Sequence, residues 1–269
     1  MRHADGIGAG RRLIHFLQGS NDFVFQWPVG PYIKVEKMSL PGSAALAMWW
    51  DMDPAMKSEF EDWHSHEHFP ERLGVPGFRR ASRWTSATGD DGIFVMYELT
   101  SYAVLSSSAY VSHLNTPTPW STRMMPHHRN MVRSQCHVLE SWGGSAARHA
   151  LTLRLSPQQG RVDDLRAFFR ALCPALVRRP GIVGTHLMRH QTPPVAETTE
   201  QRIRNSADRV ADWVLVVPGY EAPALEALVQ TDLSVASLQA SGAADGVLTG
   251  LYSLSHSATP EDIAHVPPA

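Results

Sequence analysis

Two prolines and two glycines recur at one fixed spacing, and that recurrence constrains the fold more than any other feature. Pro174 follows Pro70 by 104 positions, and Gly181 follows Gly77 by the same 104. The same shift pairs Phe78 with Ile182 and Asp53 with Pro157. Landmarks that coincide at one period indicate internal duplication. In the first copy, Ala44 to Trp50 reads as a buried strand. Asp53-Pro54 then opens a helix, with Asp53 as N-cap and the proline where its missing N–H is harmless. Met56, Phe60 and Trp63 fall at helical spacing and form the face laid on the sheet. Pro70 is expected to stop or kink this helix. Phe78 to Thr85 and Ile93 to Leu99 read as strands, Tyr102 to Leu114 as a helix, and Val132 to Trp142 as the closing strand, after a proline-broken stretch from Pro117 to Asn130.

The second copy repeats this order. His149 to Leu155 is a strand, Val162 to Val177 a helix and Ile182 to His190 a strand. A polar insertion, Thr192 to Asp208, precedes the strand Trp213 to Val217, the helix Ala222 to Val229 and the strand Gly246 to Ser253. The order β-α-β-β-α-β is the ferredoxin-like split unit. One such unit leaves a sheet face open, and two can bury those faces against each other. The expected fold class is α+β, with two tandem ferredoxin-like units forming an intramolecular dimeric α+β barrel. The first repeat spans 38–144 and bears the candidate site. The second, 145–269, is degenerate, with a polar loop and a C-terminal tail. Residues 1–37 show no sustained period and no apolar h-region, so they are expected to be a flexible N-terminal extension, or a translation extension upstream of Met38.

Composition narrows the function. The chain has 269 residues, 43% hydrophobic and 19% charged, with a formal net charge of −2. These are the proportions of a globular protein, with no charge to attract nucleic acid or anionic membrane. No apolar run reaches the roughly 18 residues a membrane helix requires. Cys136 and Cys173 have no metal-type spacing and fit buried thiols in a reducing compartment, so a cytoplasmic location is expected. No phosphate-binding glycine loop, dinucleotide fingerprint or Gly-x-Ser-x-Gly elbow is present. The expected partner is a small molecule rather than nucleic acid or membrane, and a homodimer stays open.

The chemistry concentrates in DWHSHEHFPERLGVPGF, Asp62 to Phe78. His64 and His68, spaced i, i+4, share a helix face, whereas His66 points elsewhere. Histidine titrates near neutral pH, so His68 is a candidate general acid or base, with His64 orienting it or sharing its proton. Glu67, Glu71 and Arg72 read either as an ion-pair cluster at a helix end or, for Glu71 and Arg72, as groups that fix a polar substrate. The second copy has Ala175 and Leu176 in place of Glu71 and Arg72, which favours a role in a site. Among Arg79, Arg80 and Arg83, Arg83 is the candidate to bind a carboxylate or enolate. Trp63, Trp84 and Trp142 are candidates to wall an apolar pocket. A metal would need His64, His68 and a third ligand from His127-His128, and the motif H-E-x-x-H is absent. Haem ligation by one of these histidines is a further alternative.

EHFPERLGVPGF after an amphipathic helix, followed by RRASRW, resembles the EthD-like proteins of the dimeric α+β barrel superfamily. The resemblance covers Ala44 to about Trp142 well and His149 to Ser255 weakly. His68 matches the motif histidine and Pro70 its proline, whereas Leu172 stands at the corresponding place in the second copy. The superfamily implies a cavity between sheet and helices. It includes cofactor-free monooxygenases, muconolactone-type isomerases, haem-dependent enzymes and proteins without known activity. The expectation is a small-molecule enzyme using His64, His68, Glu71 and Arg72 without a cofactor, on a hydrophobic, aromatic or polyketide-like carbonyl compound. A non-catalytic ligand-binding protein and a haem or metal protein are the alternatives.

Overall fold

The computed structural model describes residues 40–90, 92–204 and 208–263, so the expected N-terminal extension lies outside the described residues. The first half contains β1 (Ala44–Met52), α1 (Lys57–Trp63), α2 (Phe69–Leu73), β2 (Phe78–Ser86), β3 (Gly92–Leu99), α3 (Ser108–Asn115), α4 (Pro119–Met124) and β4 (His128–Gly143). The second contains β5 (His149–Leu155), α5 (Val162–Leu176), β6 (Gly184–His190), α6 (Thr199–Arg204), β7 (Trp213–Gly219), α7 (Ala222–Gln230), α8 (Val235–Ala240) and β8 (Leu248–Ala258). The eight strands close into an antiparallel barrel in the order β1-β3-β2-β8-β5-β7-β6-β4. Each half contributes four adjacent strands in equivalent order. The halves meet through β2–β8 and β4–β6, with Trp84 opposite Leu254 in one seam and Val138 opposite Met188 in the other. Closure leaves no unpaired sheet edge.

The two-residue period of a strand sorts the side chains. Ala45, Ala47 and Trp49 of β1 point into the barrel, where they join Trp84, Phe94, Met96, Val214 and Val216. Ala44, Leu46 and Trp50 point the other way and join Phe60, Trp63 and Phe69 beneath the helices of the first half. Leu165, Phe169, Leu176, Trp213, Leu215 and Val217 build the matching layer of the second half. Each large apolar side chain buried in this way contributes about 1.5–3 kcal/mol.

Asp53 caps the start of the first helical segment, its carboxylate accepting from the Ala55 amide at 3.1 Å, with Pro54 directly after it. Three expectations need correction. Pro70 does not end the helix, which continues to Leu73 through a wider turn at His64–His68. The helix expected from Tyr102 splits into a 3-10 turn, Tyr102–Ser106, and α3, because Ser107 is extended and caps α3 by accepting from the Tyr110 amide. The polar insertion in the second half carries the helix α6.

Gly77 and Gly181, the duplicated glycines, both adopt positive φ, at 102° and 86°. Each turns the chain from a helix towards a strand in a conformation that L side chains rarely adopt. A Cβ at Gly77 would lie 2.4 Å from Val104 Cγ2, and one at Gly181 would lie 2.5 Å from Ala224 Cβ. Gly77→Ala and Gly181→Ala should therefore each lower the unfolding free energy by about 1–3 kcal/mol, measured by chemical denaturation. Two unaffected variants would show that the turns are not under this constraint.

Candidate functional site

The site begins with a difference between two helices of common origin. α5 buries Leu165, Phe169, Cys173 and Leu176. The first-half helix buries Phe60, His64, Phe69 and Arg72. Phe60 and His64 lie 105 positions before Leu165 and Phe169, but Phe69 and Arg72 lie 104 before Cys173 and Leu176. One extra residue therefore sits between His64 and Phe69. The helix absorbs it as a π turn, in which the Phe69 amide bonds to the His64 carbonyl. Such turns are inserted residues accommodated without breaking a helix. Pro70 alone does not cause it, since Pro174 lies within α5 without such a turn.

The turn brings polar side chains onto a face that would otherwise be apolar. His64 stands where α5 has Phe169. The His64 and His68 rings are 5.3 Å apart, with Trp63 packed 4.5 Å from His68 and Phe69 4.3 Å from His64. Together with Trp63 and Arg72, these two histidines line one side of a small cavity of about 40 Å³. Leu46, Met48, Trp50, Tyr97, Met131 and Arg133 form the sheet side, and Tyr110, Leu114, Met125 and His128 close the ends. Glu200 and Arg204, from α6 of the second half, complete the lining.

The electrostatics are those of a buried site with three arginines in its lining, Arg72, Arg133 and Arg204. Arg72 is 2% exposed. Burial opposes its charge, but the Glu200 carboxylate, which its Nη2 contacts, and Glu71, 3.4 Å from Nη1, outweigh that and hold the guanidinium protonated. Arg204 is neutralised by Asp208 through two hydrogen bonds of 2.8 and 3.3 Å. His64 and His68 are both held well below the usual histidine range, first by burial and then by neighbouring positive groups, Arg72 foremost for His68. His128 is pushed down to about 3, chiefly by burial. Its Nδ1 lies 3.1 and 3.2 Å from the Met124 and Met125 carbonyls. Carbonyls only accept, so Nδ1 carries the proton and Nε2 keeps its lone pair. Burial also pushes the Tyr97 phenol up, which leaves it a neutral donor. Among the described residues, five buried polar atoms of the lining residues have no hydrogen-bond partner: Trp50 Nε1, His64 Nδ1, His68 Nδ1, Arg72 Nη1 and Tyr97 Oη.

The structure brings together His64, His68, Arg72 and Trp63. Glu71 stands behind the lining, with Oε2 3.7 Å from His68 Nδ1. Arg83 is buried outside the cavity, over the Phe60 ring, and donates from Nη1 to the Glu61 carbonyl. Trp84 is not a cavity wall, because β2 turns it into the barrel, where it stacks on Phe94. Trp142 packs on the core of the second half. Among the described residues, Glu67 joins no ion-pair cluster and instead accepts from Trp63, Thr118 and Ser121. His66 is exposed, as its helix position implied. No group of three or more His, Cys, Asp or Glu among the described residues could hold a metal, and His127 lies apart, 3.8 Å from Asp53. Sequence reasoning missed Tyr97, Glu200 and Arg204, and considered His128 only as a metal ligand.

No protein-family model matches the chain, and no curated protein matches it. Solved structures do share its fold. An anthrone oxidase-like protein superposes with a TM-score of 0.57 at 12% identity, over 81% of this chain and 93% of its own. A candidate monooxygenase from Fusobacterium nucleatum subsp. nucleatum gives 0.55 at 8%, over 81% and 95%. Another from Lactobacillus acidophilus gives 0.53 at 7%, over 81% and 97%. At these identities the likeness shows the ferredoxin-like, dimeric α+β barrel architecture. Among the described residues, no helix is long and apolar enough to cross a membrane.

The buried histidines make stability depend on pH with a definite sign. Their folded proton affinity is depressed, so the unfolded chain takes up protons first. Stability is fully present above the unfolded value of about 6.5 and is lost as pH falls towards the folded values, which for His128 means towards about 3. Each histidine that stays neutral in the folded state contributes a slope of about 1.4 kcal/mol per pH unit. His64→Phe, which copies Phe169, should remove one such share between pH 6 and 5. Denaturation curves at the two pH values measure this, and an unchanged slope would contradict it.

Proposed function

We propose that this protein is a small-molecule enzyme in which His68 removes a proton from a carbon whose anion is delocalised onto the carbonyl oxygen of a hydrophobic, aromatic compound. One observation carries the reading: five residues that line a single, otherwise largely apolar cavity, Trp50, His64, His68, Arg72 and Tyr97, each have a buried polar atom that makes no hydrogen bond among the described residues. Leaving such a group unpaired costs about 1–3 kcal/mol, and proteins keep several together where something bound satisfies them. The mixture suits a ligand with an aromatic body and one or two oxygens.

The roles follow from charge. A histidine that is neutral at pH 7 has a lone pair free to accept a proton. Its depressed affinity makes it a weak base towards water. An anion forming beside it reverses that balance, since Arg72 and the protonated imidazole both stabilise the new negative charge. Arg72 Nη1 and the Tyr97 hydroxyl are the donors for the developing enolate oxygen. His64 packs against His68 and orients it. The EthD-like resemblance at EHFPERLGVPGF and the fold shared with an anthrone oxidase-like protein both support this reading. Proton removal is the step common to isomerisation, elimination and cofactor-free oxygenation. In the last case, the anion of anthrone takes up dioxygen, and anthrone plus O2 gives anthraquinone plus water.

Dioxygen uptake with anthrone as the probe tests the proposal. The protein should accelerate uptake, and His68→Ala should lower kcat by about 100-fold with the fold retained, as expected for loss of a general base. Unchanged turnover in His68→Ala would remove His68 from this role. Stoichiometric binding of anthrone without any acceleration would favour the non-catalytic binding protein instead.

A further inference from the structure

We infer that Glu71 and His113 form a proton path from His68 to solvent, an inference that rests on the base role proposed above. The three groups make a graded line outwards. Side-chain exposure rises from 8% at His68 to 13% at Glu71 and 42% at His113. His68 Nδ1, which has no hydrogen-bond partner, lies 3.7 Å from Glu71 Oε2, itself unpartnered. The other oxygen, Oε1, lies 3.1 Å from His113 Nδ1 on α3. The path requires the first step to close to hydrogen-bond distance when substrate binds, as catalytic contacts commonly do.

Glu71 does more than neutralise Arg72: its Oε1 lies 3.4 Å from Arg72 Nη1 and 3.1 Å from His113 Nδ1, whereas its Oε2 is the oxygen turned to His68. Burial, the largest influence, raises the proton affinity of Glu71 against the opposing pull of Arg72. That is the behaviour of a group able to hold a proton in transit. The other charged groups nearby are Arg72 on the same helix and Glu200 on α6.

The transfer balances in two steps. The substrate carbon gives its proton to His68 Nε2, and His68 Nδ1–H passes one to the Glu71 carboxylate at Oε2. The carboxyl so formed turns and gives that proton to His113 Nδ1, and His113 Nε2–H releases one to water. The net result is one proton moved from the cavity to solvent, with no charge left on the path.

The test uses the full chain labelled with ¹⁵N-histidine and measures exchange of the His68 imidazole N–H with water by NMR. Glu71→Gln and His113→Ala should each slow exchange by about tenfold or more, the scale of a lost proton-transfer partner. Free imidazole should restore it in His113→Ala, and His66→Ala, on the exposed face, should leave it unchanged. Exchange unaffected by both path variants would overturn the inference. The readout needs no turnover. Failure of anthrone oxidation would therefore count against the base role, and unaltered exchange against the path.

Discussion

A guanidinium cannot be buried alone, and the pairing of Arg72 with Glu200 is the interaction on which the site depends. Arg72 comes from the helix of the first half and Glu200 from a helix inserted in the second. Removing one partner from a buried ion pair is strongly destabilising, by about 3–5 kcal/mol, because the other charge is left without compensation. The pair thereby holds α6 against the cavity, where Glu200 and Arg204 supply part of the lining. It also keeps a positive charge beside His68, which disfavours protonation of that ring. A structural tie between the halves and the electrostatic character of the site are thus one interaction.

The two halves show what the same fold does with and without such a site. α5 lays Leu165, Phe169, Cys173 and Leu176 on its sheet, an apolar stripe of the ordinary kind. The first-half helix has His64 and Arg72 at matching places and one residue more, taken up by the π turn. Every one of these differences works against stability. Buried histidines must stay neutral, a buried arginine needs counter-charges, and several polar atoms have no protein partner. Departures of this kind concentrate where a protein sacrifices stability for function. The second half, with Leu172, Ala175 and Leu176 in that region, acts as the partner that closes the barrel.

Much of this was legible in the sequence. The duplicated proline and glycine positions, the Asp53-Pro54 helix start and the alternating strands implied the barrel, because each rests on local chemistry that tertiary context does not override. His64, His68 and Arg72 stood out by residue type and spacing. The π turn was not legible, since an inserted residue looks the same whether it widens a helix or ends it at Pro70. The insertion's part in the site was hidden for another reason: Glu200 reads as one more polar loop residue until the fold sets it against Arg72, 128 positions away. Trp84 misled because its bulk suits a pocket wall and a barrel interior equally, and only strand register decides between them.

The central claim is that three neutral histidines surround one cavity at physiological pH. A titration of the histidine side chains by ¹H–¹⁵N NMR between pH 8 and about 4.5, bracketing the ordinary histidine value, tests this most directly. The account requires His64 and His68 to take up protons well below the ordinary histidine value and His128 to remain neutral throughout, with its proton on Nδ1. If His64, His68 and His128 instead titrate with midpoints near the ordinary histidine value, burial does not hold them neutral, and the base role of His68 loses its physical foundation.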